Sequence, residues 1–148
     1  MLPPEKKKTD FERIPVYDEW VNGEIVEIQY DENHKSIYQG QTRVKPAVRF
    51  SLRLDGCRFN HKTRWMTFNY SEKAYLYKTF LKELVEGATE YMRFDLDALK
   101  GMKIKTMWQA DGDYDNLMAV RPLEARLPLS AGLVEGEPPE EEVEVLAD

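Results

Sequence analysis

Seven basic residues fall between positions 43 and 64: Arg43, Lys45, Arg49, Arg53, Arg58, Lys62 and Arg64. Asp55 is the only acid among them, so these 22 residues carry a net charge of +6. Arg43, Lys45, Arg49 and Arg53 share one parity, which in a strand puts four cations on one face. Aromatic residues Phe59 and Trp65 follow within the same hairpin, together with His61. Single-stranded nucleic acid is held by cations that track its phosphates and by flat side chains under its bases. The candidate contacts are Arg43, Lys45, Arg49, Arg53, Arg58, His61, Lys62, Arg64 and Trp65, joined by Lys103 and Lys105 from a later strand. Lys62 and Arg64 share parity with Met66 and Phe68, so they need a bulge or an end-of-barrel position to reach solvent. Trp65 has two readings, an exposed stacking group or a core indole. A charged strand face also protects an edge from aggregation. Four cations on one parity, with more across the hairpin, exceed that need.

Catalytic chemistry finds little support. His34 and His61 are the only histidines, and neither sits in a metalloprotease or zinc-deaminase pattern. Cys57 is the sole cysteine, which excludes an intrachain disulfide and a cysteine-based zinc cluster. It reads as a small turn or core residue. The three carboxylates of Asp111-Gly112-Asp113-Tyr114-Asp115 can hold a hard cation, but the stretch lacks the rest of a twelve-residue calcium loop. A tight hairpin turn is its simpler use. Asp95 and Asp97 suit the start of a short helical turn. No phosphate-binding or dinucleotide glycine motif is present. The expectation is a protein that is not an enzyme, with no metal and no cofactor.

The charge of the 148-residue chain is unevenly placed. Its net charge is −6, yet residues 135–148 alone hold six glutamates and Asp148 with no Lys or Arg. Without them the chain is close to neutral. The expected organisation is an N-terminal arm over residues 1–19, one domain over 20–134 with a C-terminal extension, and a disordered acidic tail over 135–148. Lys6, Lys7 and Lys8 in the arm can add weak phosphate contacts. The tail serves either solubility or interaction, with Glu140, Glu141, Glu142, Glu144 and Asp148 as the partner-binding candidates. Apolar runs are too short to span a bilayer, and the N-terminus lacks the order of a signal peptide. A cytosolic protein with no membrane partner is expected.

These residues need elements to position them. Trp20 to Tyr30 reads as a strand in which Gly23 marks a bulge, and Asp31 to Thr42 as a polar connection. Arg43 to Leu54 alternates cleanly, placing Val44, Val48, Phe50, Leu52 and Leu54 inside. Pro46 on the inner parity predicts an edge or a distortion. Asp55-Gly56 is a turn, and Phe59 to Tyr70 the returning strand. Ser71 can cap a helix whose inner face is Leu76, Tyr77, Phe80, Leu81 and Leu84, ending near Gly87. Phe94 to Leu99 fits a single turn. A fourth strand carries Met102, Ile104, Thr106 and Trp108 on one side, and Tyr114 to Val120 forms a fifth, stopped by Pro122. Trp20 and Trp108 read as structural, and Tyr38 stacks on a ligand only if its connection folds over the groove. Three strands, a helix and two strands predict an all-β fold with one main helix. The expected form is a five-stranded, partly open oligonucleotide-binding (OB) barrel, with the helix between strands three and four. An α+β sheet with one covering helix is the alternative.

Over residues 20–122 the chain resembles the small single-stranded-DNA-binding proteins of phages, prophages and related mobile elements. The resemblance is carried by the Trp20–Tyr30 strand with Gly23, the basic strand Arg43–Leu54, and Arg64-Trp65-Met66-Thr67 leading into Ser71-Glu72-Lys73. It continues through Phe94-Asp95-Leu96-Asp97-Ala98-Leu99-Lys100-Gly101-Met102 and the surroundings of Gly112, Tyr114 and Asn116. It implies an OB barrel that binds single-stranded DNA during replication or recombination in the bacterial cytoplasm. It also implies recruitment of a replication or recombination protein through the acidic tail, and a homo-oligomer is compatible with it. The competing expectation is a phage or plasmid adaptor that binds a protein through the same basic face and tail.

Overall fold

The computed structural model describes residues 12–134. Strand β1 (Trp20–Tyr38) runs antiparallel to β2 (Gln41–Leu54), and the two form the spine of the molecule. Short strands β3 (His61–Lys62) and β4 (Met66–Thr67) line the other side of β2. Strand β6 (Lys103–Asp111) pairs with the start of β1, and β7 (Tyr114–Pro122) pairs with β6. The order is β3-β2-β1-β6-β7, antiparallel throughout, with β4 also on β2. A π-helical stretch, Leu76–Leu81, runs into an α-helical turn α1 (Lys82–Leu84) between β4 and β6. Strands β5 (Val85–Glu86) and β8 (Leu127–Pro128) make a small parallel pair. The fold is mostly β with one short helix, as expected. Among the described residues no strand pairing joins β7 to β3 or β4, and no helix is long and apolar enough to cross a membrane.

The core follows the alternation of β2. Val48, Phe50, Leu52 and Leu54 are buried with Val21 and Ile25 of β1, Ile104 and Trp108 of β6, and Leu117 and Val120 of β7. All five expected helix residues are buried, and Phe80 meets Phe50 edge-on with ring centroids 4.6 Å apart. Thr106 is a polar residue buried completely in this core. Its hydroxyl donates to the Val21 carbonyl (2.9 Å) and accepts from the Trp108 indole N–H (2.8 Å), so burial leaves neither group unpaired. Gly23 lies where a Cβ would come within 2.7 Å of Leu54 Cδ2 and 2.8 Å of the Arg53 carbonyl oxygen. Its role is close strand approach, with the nearby register shift falling between Ile25 and Glu27.

Several expectations are corrected. Residues 31–42 are not a loose connection, because β1 and β2 continue as a long hairpin. Gln39 and Gly40 both have left-handed φ (51° and 76°), the geometry of a two-residue turn. Apart from Ile37 and Tyr38, residues 31–42 are polar, so alternation could not announce these strands. The hairpin extends past the core, and Val44 is therefore 53% exposed despite its inner parity. Pro46 lies opposite the register shift between Asp31 and His34, and its backbone faces the β4 side just past the end of that pairing, an edge position where no ladder N–H is needed.

The returning strand is broken rather than continuous. Thr63 Oγ1 accepts the Phe50 N–H (3.0 Å) in place of a backbone carbonyl, while the Thr63 N–H donates to the Phe50 carbonyl (2.9 Å). This interrupts the ladder and switches parity, since Thr63 and Met66 are both buried. Ser71 does not cap the helix. Its N–H donates to Asn69 Oδ1 (2.8 Å) in a local turn, and the helix starts at Leu76 without a side-chain cap. It ends at Leu84, before the extended Val85, with Gly87 two residues further on. Asp95 does cap a short turn, Leu96–Leu99, by accepting from the Asp97 N–H.

The described part of the expected arm, residues 12–19, does not stand apart from the domain. From residue 12 the chain packs on the body, with Ile14 buried and the Asp18 N–H donating to the Trp108 carbonyl (2.9 Å). The lysines at 6–8 and the tail from 135 lie outside the described residues.

Candidate nucleic-acid interface

The outward face of β2 carries the cations its parity predicts. Arg43, Lys45 and Arg49 point away from the core along one strand, with Ala47 between them. Opposite Lys45 and Arg43 on the hairpin stand His34 and Ser36. The Arg49 guanidinium lies over the Trp65 ring, 4.5 Å from its centroid, and Arg49 Nε donates to Gln29 Oε1 (2.7 Å). The His34 ring tilts against the same indole at 5.2 Å. Trp65 is thus neither a core residue nor a bare platform; it is half-buried within a surface cluster. At the hairpin tip Arg43 lies over the Tyr38 ring at 4.7 Å. Guanidinium–aromatic pairing holds both partners flat and leaves N–H groups free for phosphate.

Arg49 also borders a groove of ≈ 690 Å³ between the β3 segment and the β6–β7 hairpin. Lys62, Arg64, His61 and Phe59 form the strand side; Asp111, Tyr114, Asp115 and Asn116 form the hairpin side, with Glu12 also lining the groove. The break at Thr63 is what turns Lys62 and Arg64 outward. Arg64 stacks over Tyr75 at 3.9 Å. The groove is balanced in charge rather than basic, because Glu12, Asp111 and Asp115 offset its three cations.

Two of these carboxylates are committed to structure. Glu12 accepts the N–H groups of Arg58 and Phe59 at 2.9 Å, and these bonds hold its carboxyl below the ordinary range. Burial alone would raise the Asp115 carboxyl. Hydrogen bonds from Arg13 (3.0 Å), Tyr17 (2.7 Å) and the Ile14 N–H (2.8 Å) outweigh it and hold that carboxyl low. Asp115 therefore ties down residues 13–17, a role that competes with cation binding. Gly112 takes a left-handed φ in the hairpin turn, as the Asp-Gly-Asp pattern predicts.

The remaining candidates are dispersed. Arg53 pairs with Glu24 at 2.9 Å, and Lys103 approaches the same oxygen at 3.9 Å. Both line a separate cavity of ≈ 420 Å³ with Asp55 and Cys57. Arg58 lies over Phe59 at 5.3 Å. Lys105 sits on β6 beside Asn22 and Arg121. Glu140, Glu141, Glu142, Glu144 and Asp148 lie outside the described residues. The cations of residues 43–64 thus divide among the outward β2 face, the groove and the Glu24 pair, and do not form one patch.

Glu12, Cys57 and His61 place potential metal-ligating atoms within 4.8 Å of one another. Those atoms are largely engaged already. The Glu12 carboxylate holds two amides, and the His61 ring nitrogens face the carbonyls of Glu12 (2.7 Å) and Phe59 (3.2 Å). Burial pushes the Cys57 thiol up, away from the thiolate a metal or nucleophile needs.

Sequence reasoning overlooked Tyr114, which is 72% exposed at the groove rim, and the pairing of Arg64 with Tyr75. The Asp-Gly-Asp turn beside Tyr114 was the available signal, since a hairpin tip leaves its flanking aromatic in solvent. Comparison of the chain with protein-family models, curated proteins and solved structures finds no match.

Proposed function

We propose that this protein binds single-stranded DNA with little sequence preference, without catalysis, in phage or mobile-element replication or recombination. Its architecture in this reading is a partly open OB barrel, and it works in the cytoplasm of the bacterial host. The strand order, with the helix between β4 and β6, supports that architecture. The observation that carries the binding reading is the outward face of β2. There Arg43, Lys45 and Arg49 follow one strand, with Tyr38 and Trp65 held flat against two of them. At about 3.3 Å per residue the three cations span roughly 20 Å, enough to follow a nucleic-acid backbone.

Arg49 joins this face to the groove, so a backbone tracking β2 can turn its bases toward Phe59 and Tyr114. The charge balance of the groove suits bases better than phosphates. Its polar side chains Asn60 and Asn116 offer hydrogen bonds without demanding one base.

Titration of the protein with labelled single-stranded and duplex oligonucleotides of several base compositions tests this. Tighter binding to single strands, with similar affinity across compositions and a steep fall with salt, is the expected result. Equal affinity for duplex, or no binding at low salt, would overturn it.

A further inference from the structure

The start of β1 and strands β6 and β7 present a second outward face, on the far side of Glu24 from Arg49. Trp20, Met107 and Ala119 pair in one row across it, and Asn22, Lys105 and Arg121 pair in the next but one. The row between them, Val21, Thr106 and Val120, is buried, which fixes the two outer rows on the solvent side. Trp20 is therefore not the structural indole its position in the sequence suggests; it is 39% exposed. The Arg121 guanidinium reaches back across β6 to lie over its ring, 5.3 Å from the centroid. This repeats the arrangement of Arg49 on Trp65.

The charge of this face is not spent internally. Arg53 and Lys103 share Glu24. Among the described residues no carboxylate lies within ion-pair distance of Lys105 or Arg121. Protection of an edge does not account for the two cations either. Strand β7 is an edge, but Lys105 belongs to β6, which is paired on both sides, and Arg121 lies over an indole two strands away. An ammonium beside a flat guanidinium suits phosphates, and the exposed indole offers a surface to a base or sugar.

We propose that Trp20, Lys105 and Arg121 form a second contact surface for the phosphate backbone of bound single-stranded nucleic acid. At about 3.3 Å per residue and 4.8 Å per strand step, Arg121 stands roughly 25 Å from Arg49 over the sheet. The stretch between them is neutralised by Glu24, so the strand is gripped at two separate patches. The proposal rests on the single-strand reading above and adds a surface to it.

Titration with an oligothymidylate of about 20 nucleotides, followed over a salt series, tests the surface. A K105A/R121A double variant should lose about tenfold in affinity at low salt, and its salt slope should fall by about 1.4, or 0.7 for each phosphate contact on a single strand. K105R/R121K keeps both charges and should keep the parent slope. Loss of slope in that variant would assign the effect to packing and overturn the proposal. In Trp65→Phe the exposed indole that remains is Trp20, because Trp108 is buried. The oligonucleotide should still quench its fluorescence, and W20F/W65F should lose that quench. Binding to Trp65→Phe without quenching would overturn the proposal. So would equal quenching by a polyglutamate peptide, which would assign the face to an acidic protein partner. Binding by the parent, with affinity and slope unchanged in K105A/R121A, would remove this surface and leave the β2 face standing. No binding by the parent would remove both.

Discussion

The Arg49 guanidinium covers the Trp65 ring at 4.5 Å while its Nε is fixed by Gln29. The pair makes one unit of a cation and an aromatic plane at the junction of the β2 face and the groove. Arg49→Ala should weaken single-strand binding by similar factors for all base sequences and lower the salt slope by about one charge. Trp65→Ala should cost about 1–3 kcal/mol of binding, with a smaller change in slope. Fluorescence anisotropy across a salt series measures both. Unchanged affinity in both folded variants removes this face from the interface.

Arg53 and Lys103 share Glu24, so their charge is already partly spent. Arg53→Ala should reduce affinity less than Arg49→Ala in the same titration. Glu24→Gln, which frees both cations, should tighten binding at low salt. A loss for Arg53→Ala as large as that for Arg49→Ala would place Arg53 in the contact surface after all.

Thr106→Val should destabilise the fold by about 1–3 kcal/mol, because the buried Trp108 indole N–H loses its acceptor. Gly23→Ala should also destabilise, since its Cβ meets the Arg53 backbone at 2.8 Å. Urea unfolding followed by tryptophan fluorescence reads both. Wild-type midpoints would mean that the indole finds another partner and the strands can part.

The Asp115 carboxyl is held low in the folded protein by Arg13, Tyr17 and the Ile14 N–H. A lowered carboxyl contributes stability above its unfolded value, about 3.9, and loses it as pH falls through the folded value. Acid unfolding should therefore steepen below about pH 4. Asp115→Asn should flatten that limb and release residues 12–17, seen as faster exchange at the Ile14 amide. An acid limb identical to wild type would assign the acid sensitivity to other carboxylates.

Much of the molecule is written in local pattern. The alternation of Val48, Phe50, Leu52 and Leu54 against Arg49 and Arg53 identifies β2 and its buried side. The spacing of Leu76, Tyr77, Phe80, Leu81 and Leu84 identifies the helix face, and Asp111-Gly112-Asp113 the last hairpin turn. Each depends on a residue and its near neighbours, so period and turn chemistry suffice. The hairpin strands of residues 31–42 escape this reasoning because, apart from Ile37 and Tyr38, they are polar on both faces and have no alternation to display.

Tertiary structure decided how the charges are grouped. Thr63 replaces a backbone acceptor for Phe50 and thereby turns Lys62 and Arg64 outward, an exchange between residues 13 apart in the chain. Glu24 claims Arg53 across 29 residues, and Asp115 claims Arg13 across 102. The composition of residues 43–64 determined that cations would crowd this region. Their division among the β2 face, the groove and the ion pairs depends on partners brought near only by folding, since an ion pair or hydrogen bond acts over a few ångströms of space, whatever the distance along the chain.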